Sequence, residues 1–375
     1  MAGHEMPVQW RGTIVQAWVP DPLAERDLSV TEATVRRTEQ AVAAVRRARD
    51  AMPERWEALA RLLLRAEGIA SSFIEGVRAP LAEVAAAELD PTVGETALWV
   101  ADNLAAVRAA VGEAHGDPCS AASLHRWHRT LMAGASHLPA HLVGAPRDAQ
   151  GWIGGTSPLD ATLVTPPPQL VGGLLEDLAE FVNRDDIDPV TQAAAAHAQF
   201  ETIHPYADGN GRVGRVLIGW ILTRRLALLS PPPVSVRIAV DRGGYLSQMT
   251  LFRLGQVDPW VRWFADVVGG AGDATVNLVA AVAKLEARWD ARLTGVRADA
   301  AARRTIGLLA QHPVLASSTV ADELGISERA GRSALNTLAA NGIIAPFKPS
   351  AHPQGRPRRW WVATELVDLV TAWSG

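Results

Sequence analysis

The chain has 375 residues, 48% hydrophobic and 20% charged, which suits a soluble protein of two or three domains with a sizeable core. A formal net charge of -4 argues against bulk attraction of the whole protein to nucleic acid or to a membrane. Cys119 is the single cysteine, so no intrachain disulfide forms; no secretory leader and no bilayer-length apolar run is visible, and the expected location is the cytoplasm.

Residues Met1 to about Ser29 read as an extended arm, anchored by Trp10, Trp18 and the proline-restricted Val19-Pro20-Asp21-Pro22-Leu23. Two helical patterns follow, about Val30 to Ala51 and Glu54 to Val77, separated by Met52-Pro53. The second ends in Ser71-Ser72-Phe73-Ile74-Glu75-Gly76. Ser71 and Glu75 are four apart and so share one helix face, and Gly76 suits a helix stop. From Leu81 to Met132 the pattern is helical. His125 and His128 have a spacing that suits a metal, but no third ligand is evident, and they read as a packed or surface pair.

Between Gly144 and Pro168, β-formers flank a polar, glycine-containing turn. Trp152-Ile153-Gly154-Gly155 on one side and Leu163-Val164 on the other predict a hairpin. A lone hairpin on a helical protein has an unpaired edge, a liability unless it is used. Helical segments run from Val171 to Asn183, from Thr191 to Ile203 and from Val213 to Leu229, and continue to about Gly269. Gly269-Gly270-Ala271-Gly272 predicts a flexible break, followed by a helical spacer from Ala274 to about Arg297.

The last segment has a different pattern. A helix to Gln311, a short one from Thr319 to Leu324, a Gly325-Ile326-Ser327 turn and a helix from Glu328 to Asn341 give helix-turn-helix spacing. Ile343-Ile344-Ala345 and Arg359-Trp360-Trp361-Val362 pair as strands around a basic loop, which makes a winged helix. Arg329, Arg332 and Arg358 are its candidate DNA contacts.

One stretch carries the chemistry: His204-Pro205-Tyr206-Ala207-Asp208-Gly209-Asn210-Gly211-Arg212-Val213-Gly214-Arg215. Pro205 stops the helix before it. Gly209 and Gly211 let a ligand approach the main chain, and the free amides of the next helix carry partial positive charge, which together form an anion hole. Asp208 is a hard oxygen ligand suited to Mg²⁺ or Mn²⁺. Arg212 and Arg215, three apart, can clamp phosphate oxygens, and His204 is the nearby group able to take a proton. A Gly-Asn-Gly turn or a His before Pro is ordinary alone. Eight specified positions within twelve residues are not.

This stretch resembles the signature of the Fic family, His-Pro-Phe-x-Asp/Glu-Gly-Asn-Gly-Arg-x-x-Arg, with Tyr206 where Phe is usual. The flanking Ala196-His197-Ala198-Gln199-Phe200-Glu201-Thr202-Ile203 is similar as well, and His197 reads as a packing residue. Ser71, Glu75 and Gly76 resemble the family's inhibitory Ser/Thr-x-x-x-Glu-Gly/Asn, in which the Glu pairs with the second signature Arg, here Arg215. Asn103 resembles a residue of a helix beside the inhibitory one, and residues 1–29 resemble an amino-terminal module of such proteins.

The resemblance implies a mainly α protein with a Fic helical bundle, a small β-hairpin flap and a carboxy-terminal winged helix. The expected units are 1–95 with the inhibitory helix (about 54–77), a catalytic core over 96–270, a helical linker over 271–300 and the winged helix over 301–375. It also implies transfer of AMP from ATP to a Ser, Thr or Tyr hydroxyl of a protein held at the flap by Trp152, Ile153, Gly154, Leu163 and Val164. In that scheme His204 is the base, Asp208 holds the metal, Gly209, Asn210, Gly211 and Arg212 cradle phosphates, and Arg215 grips the γ-phosphate. Glu75 on Arg215 blocks that grip. Self-modification and a homodimer are further expectations, with no membrane role. Other readings of the same site are removal of AMP, transfer of another nucleotidyl or phosphoryl group, and nucleotide sensing by a DNA-binding regulator.

Overall fold

The structure is a computed structural model that describes residues 3–52, 56–350 and 359–374. It is mainly helical. The chain opens with an antiparallel hairpin, β1 (Gly3–Trp10) and β2 (Thr13–Pro20), with Trp10 opposite Thr13. This corrects the expected extended arm. Arg11 and Gly12 both have positive φ, 44° and 87°, as a two-residue turn with the twist of paired strands requires. Arginine is not a usual residue there, so the turn carries little sequence signal.

Five helices follow: α1 (Glu32–Asp50), α2 (Trp56–Ile74), α3 (Leu81–Ala87), α4 (Glu95–Glu113) and α5 (Ala121–Leu131). A short second hairpin, β3 (Trp152–Ile153) with β4 (Leu163–Val164), then leads into α6 (Pro168–Val182), α7 (Pro189–Ile203) and α8 (Asn210–Leu226). Asp188 starts α7 by accepting hydrogen bonds from the amides of Val190 (3.0 Å) and Thr191 (2.8 Å), with Pro189 at the first helical position. The alanine run Ala193 to Ala196 is fully buried, because α7 is covered on all sides and small side chains let its neighbours close in. Around it lies the main core, which includes Trp127, Phe181, Phe200, Trp220, Trp260 and Phe264.

Next come α9 (Val234–Val240), α10 (Arg242–Arg253) and α11 (Val257–Arg292). The last runs for 36 residues without interruption, so the flexible break expected at residues 269–272 is corrected. Those glycines mark a close helix crossing. A Cβ on Gly272 would stand 2.7 Å from the Ala44 carbonyl carbon and 2.8 Å from the Val45 nitrogen of α1, and one on Gly269 would stand 3.5 Å from Ala41 Cα. The close approach of α1 outweighs the poor helix propensity of glycine, about 1 kcal/mol per residue relative to alanine.

The carboxy-terminal part contains α12 (Ala301–Ile306), β5 (Val314–Leu315), α13 (Ser317–Leu324), α14 (Glu328–Ala340), β6 (Ala345–Phe347), β7 (Trp360–Val362) and α15 (Thr364–Ser374). The strands form one antiparallel sheet in the order β5-β7-β6. Gly325 (φ 63°) ends α13, and the Ser327 hydroxyl accepts the Ala330 amide (3.2 Å) to start α14. β5 and α15 had no counterpart in the sequence reading. Arg358 lies outside the described residues.

This part does not sit apart from α2. Leu59, Leu62 and Leu63 of α2 share one apolar cluster with Leu285 and Trp289 of α11 and with Leu309, Leu335 and Trp361. The buried Arg65 of α2 donates to Glu88 (2.6 Å) and to the Gln311 carbonyl (3.2 Å), which ties the same helix to both neighbours by polar contacts. Among the described residues no helix is long and apolar enough to cross a membrane.

Candidate nucleotide site

The loop between α7 and α8 is built by its own side chains. His204 ends α7 in the left-handed region (φ 50°, ψ 60°), donating its amide to the Phe200 carbonyl, and Pro205 prevents the helix from continuing. Asn210 closes the loop from inside: its Oδ1 accepts the Tyr206 amide and its Nδ2 donates to the Tyr206 carbonyl, each at 2.8 Å. The side chain of Asn210 is therefore used by the loop, and the chain offers a ligand its backbone amides. Gly209 (φ 80°, ψ 6°) caps α8, whose first amides lack intrahelical partners and point out of the helix end.

Tyr206 is fully buried. Its ring stacks on His128 with centroids 3.9 Å apart, and its hydroxyl meets His125 Nδ1 at 3.0 Å. His128 accepts the Gly144 amide on Nδ1 (2.9 Å), which leaves Nε2–H to donate to the Asp208 carbonyl (3.1 Å). The two histidines thus position the loop, and burial holds the His128 imidazole down at about 4, uncharged at neutral pH.

Asp208 stands at the rim with 43% of its side chain exposed. It meets His137 Nε2 at 2.9 Å and Arg212 Nη2 at 3.6 Å, and accepts the Gly209 amide at 2.6 Å. Burial alone would push its carboxyl up; these three donors bring it below its ordinary value, so it is ionised. Among the described residues no three His, Cys, Asp or Glu side chains group as a metal cage. A single ionised carboxylate at an anion hole still suits Mg²⁺, which keeps its waters and takes its remaining ligands from substrate phosphates.

Arg215 is only 3% exposed and is met from α2. Its Nε donates to Ser71 Oγ (2.9 Å), and its Nη2 to the Ser71 carbonyl (2.9 Å) and to Glu75 Oε1 (2.7 Å). Burial favours neutral Arg215, but Glu75 outweighs it and the guanidinium is held more firmly charged than usual. Glu75 keeps 40% of its side chain exposed, and Arg215 likewise overcomes its desolvation so that its carboxyl lies below the usual range. Gly211 makes room for this contact, since a Cβ there would stand 2.1 Å from Glu75 Oε1. Gly76 (φ 85°) turns the chain away directly afterwards. The sequence-predicted residues His204, Asp208, Gly209, Gly211, Arg212, Arg215, Ser71 and Glu75 are thus brought to one place.

α2 is also fixed from behind. Asn103 Nδ2 donates to the Gly68 carbonyl (2.9 Å) and to Ser72 Oγ (3.2 Å), and the buried Glu67 accepts the Ser235 amide (2.8 Å) and the Ser235 hydroxyl.

Several contributors were not legible as site residues. Arg147 is buried and donates to the carbonyls of His204 (2.9 Å) and Pro166, while its own amide donates to the Pro205 carbonyl (2.9 Å), so it ties the hairpin to the loop. Its arginine lies in the hairpin stretch with no helical or strand period to point at His204. His137 on Asp208 is likewise a tertiary contact with no sequence signal. His197, seven before His204, is buried and meets the Tyr245 hydroxyl at 2.7 Å. The hairpin itself is short. Trp152 packs edge-on against Trp10 at 5.4 Å, and Val164 joins Val15 and Ala17 in a small apolar cluster, so the amino-terminal hairpin braces it. Arg329 and Arg332 are exposed on α14, where Arg332 meets Glu328 at 3.5 Å; they are far in sequence from the loop and take no part in the site.

Residues 118–222 match the model of the Fic/DOC family. Over 152 residues the chain is 30% identical to protein adenylyltransferase fic-1 of Caenorhabditis elegans, covering 40% of this chain and 27% of that one. It is 32% identical over 142 residues to protein adenylyltransferase Fic of Drosophila erecta, covering 37% and 26%. The chain therefore spans about a quarter of the length of these curated relatives. In fold it is similar to a Fic family protein from Desulfovibrio desulfuricans G20, with a TM-score of 0.56 and 24% identity over 89% of this chain and 97% of that one. The loop that begins at His204-Pro205 and the start of α8 thus lie within the part of the chain that matches the Fic/DOC family model, in a helical frame similar to that of a solved Fic family protein.

Proposed function

We propose that this protein transfers AMP from ATP to a Ser, Thr or Tyr hydroxyl of a protein, and that α2 holds the reaction back. The observation that carries the reading is Glu75 on Arg215 at 2.7 Å, over the anion loop. The relatives named protein adenylyltransferases support the reaction class.

The residues have separable tasks. The outward amides at Gly209 to Gly211 and the guanidinium of Arg212 cradle the phosphates, and Arg215 takes the γ-phosphate once Glu75 leaves it. While Glu75 stays, its carboxylate occupies that place and repels a phosphate, so ATP binds in a pose that does not align the α-phosphorus. His204 accepts the proton of the target hydroxyl. The new bond joins that oxygen to the α-phosphorus, the α–β phosphoanhydride bond breaks, and pyrophosphate leaves; His204 then returns its proton to solvent. Burial, then the nearby Arg147 charge, holds the His204 imidazole down at about 4, so it is neutral and ready to accept a proton at pH 7. Asp208 would hold Mg²⁺, which supplies neutralisation of phosphate charge when bound. The hairpin at Trp152, Ile153, Gly154, Leu163 and Val164 holds the target by its backbone, which fits its open strand geometry and sets little sequence preference.

Intact mass after incubation with ATP and Mg²⁺ tests this on wild type, Glu75→Gly and Glu75→Gly/His204→Ala. One AMP added only in Glu75→Gly is the expected result. No addition in Glu75→Gly, either to itself or to proteins of a cell extract, with ATP bound, overturns AMP transfer.

The exposed Arg329 and Arg332 on α14 support a second role. The unit from 301 to 375 serves as a winged helix that contacts DNA phosphates, and an Arg329→Ala/Arg332→Ala variant loses salt-sensitive binding to duplex DNA. Binding that is unchanged in the variant removes this role.

A further inference from the structure

Behind the loop lies a carboxylate that the scheme above does not use. Glu201 sits on the last turn of α7, three residues before His204, with 12% of its side chain exposed. Among the described residues its Oε1 has no hydrogen-bond partner, and neither has Nδ1 of His204. The two groups face each other, with Oε2 4.0 Å from Nδ1. Two unsatisfied buried polar atoms on adjoining groups carry a cost to folding, so their presence together calls for an explanation.

The space around Glu201 is made by a glycine. A Cβ on Gly214 would stand 2.8 Å from Glu201 Oε1 and 2.9 Å from His197 Nδ1, so a larger residue at this position of α8 would force the carboxylate or the His197 ring to shift. Gly214 falls within the signature stretch but has no task in phosphate binding. The geometry has it make room for Glu201 and the His197 ring together.

We infer that Glu201 is the positioning residue of His204: it accepts Nδ1–H, which leaves Nε2 bare to face the target hydroxyl, and it stabilises the imidazolium formed when that hydroxyl gives up its proton. This inference rests on the AMP-transfer reading. A neutral imidazole carries its proton on either nitrogen, and the tautomer follows the hydrogen bond made by the other one. Nδ1 has two acceptors within reach, the Glu201 carboxylate and the Glu201 main-chain carbonyl, and no donor that would leave it bare. A carboxylate beside the base that turns cationic is the arrangement of a catalytic triad, in which the acid holds the tautomer and is not itself protonated. The 4.0 Å separation is longer than a hydrogen bond, and in this scheme the contact tightens when the base becomes charged. The other charges facing this pair are Arg147, Asp208 and Glu75 around His204, and Glu75, Arg215 and Arg253 around Glu201.

Two substitutions separate orientation from charge. Glu201→Gln keeps an acceptor and removes the charge, whereas Glu201→Met removes both at similar size. Nitrogen-15 NMR of His204, assigned with His204→Gln, reads the tautomer without any turnover. Wild type is expected to show one tautomer, protonated on Nδ1. Glu201→Gln should keep it, and Glu201→Met should show a mixture. In the Glu75→Gly background kcat for AMP transfer should fall about tenfold in Glu201→Gln and about a hundredfold in Glu201→Met, with KM for ATP within threefold of the parent. A single Nδ1-protonated tautomer in Glu201→Met would show that the main-chain carbonyl suffices and would overturn the proposal. So would a kcat within twofold of the parent in that variant. If the tautomer changes as expected but Glu75→Gly transfers no AMP, the positioning role stands and the AMP-transfer reading fails.

Discussion

Two glutamates, Glu67 on α2 and Glu201 on α7, are both largely shielded from water, with 7% of the first and 12% of the second's side chain exposed, and have opposite surroundings. Burial pushes each carboxyl up to about 7. Glu67 is met by the amide and the hydroxyl of Ser235, so both oxygens are occupied and the group works as a fastener for α2. Glu201 has an oxygen with no hydrogen-bond partner among the described residues and a histidine beyond it. A buried acid that is satisfied holds structure, and one left unsatisfied beside a base is held ready for chemistry.

The largest effect expected comes from the third carboxylate near Arg215. Glu75→Gly leaves a buried guanidinium without its counter-charge; removal of one partner of a fully buried pair costs about 3–5 kcal/mol, and solvent at the 40% exposed Glu75 screens part of that. Ser71 still accepts two hydrogen bonds from Arg215, which together with that screening places the loss at about 2–3 kcal/mol in urea unfolding. ATP with Mg²⁺ should then stabilise Glu75→Gly more than wild type, because its phosphate supplies the missing anion. Equal stabilisation of both would detach Arg215 from phosphate binding.

The next effect sets the two glutamates directly against each other. A carboxyl whose pKa rises from 4.5 to about 7 on folding gives stability that is present below pH 4.5 and lost as pH rises through about 7. Each of the two should cost up to about 3 kcal/mol across that window. Glu201→Gln removes a buried charge with one bare oxygen, so it should raise stability at pH 8 by about 1–3 kcal/mol and flatten the decline between pH 4.5 and 8. Glu67→Gln also flattens the decline. It cannot accept from both Ser235 donors with equal strength, however, and should lower stability at pH 5. Ser235→Ala, which keeps the charge and removes the hydroxyl donor, should cost about 1–3 kcal/mol at pH 7. Matching pH profiles for Glu67→Gln and Glu201→Gln at every pH would erase the distinction.

How far the sequence revealed these features follows the range of the signal. The loop from His204 to Arg215 was legible because its function needs fixed residue types at fixed local spacing, and the Ser71–Glu75 pair because four residues make one helix turn. The helices were legible from their period, although the boundaries at 81–132 hid the two breaks that divide α3, α4 and α5. The glycines at 269–272 misled because a chain breaker and a close helix crossing use the same residue, and only the position of α1 decides between them. Arg147, His137 and the Glu201–His204 pairing were not legible as parts of the site. The first two reach the loop across 57 and 71 positions, and the third depends on an oxygen being left bare, which no sequence states.

The smallest effect expected tests the same rule at a neutral group. Tyr206 replaces the ring usual at its place in the signature with one that carries a hydroxyl, and the fold has given that hydroxyl a partner, His125 Nδ1 at 3.0 Å. Stacking on His128 belongs to the ring and survives removal of the oxygen. Tyr206→Phe therefore loses one neutral hydrogen bond at a half-buried imidazole that water can still reach, and should cost about 0.5–1 kcal/mol in urea unfolding. His125 is held below its ordinary pKa by burial first, then by Arg129, so the loss should not grow on acidification by much more than the release of one hydrogen bond. Adding His125→Phe should recover most of the cost, because with both polar groups gone no donor or acceptor is left bare. A double variant weaker than Tyr206→Phe alone would mean that His125 holds the loop through its ring, and that the hydroxyl is incidental.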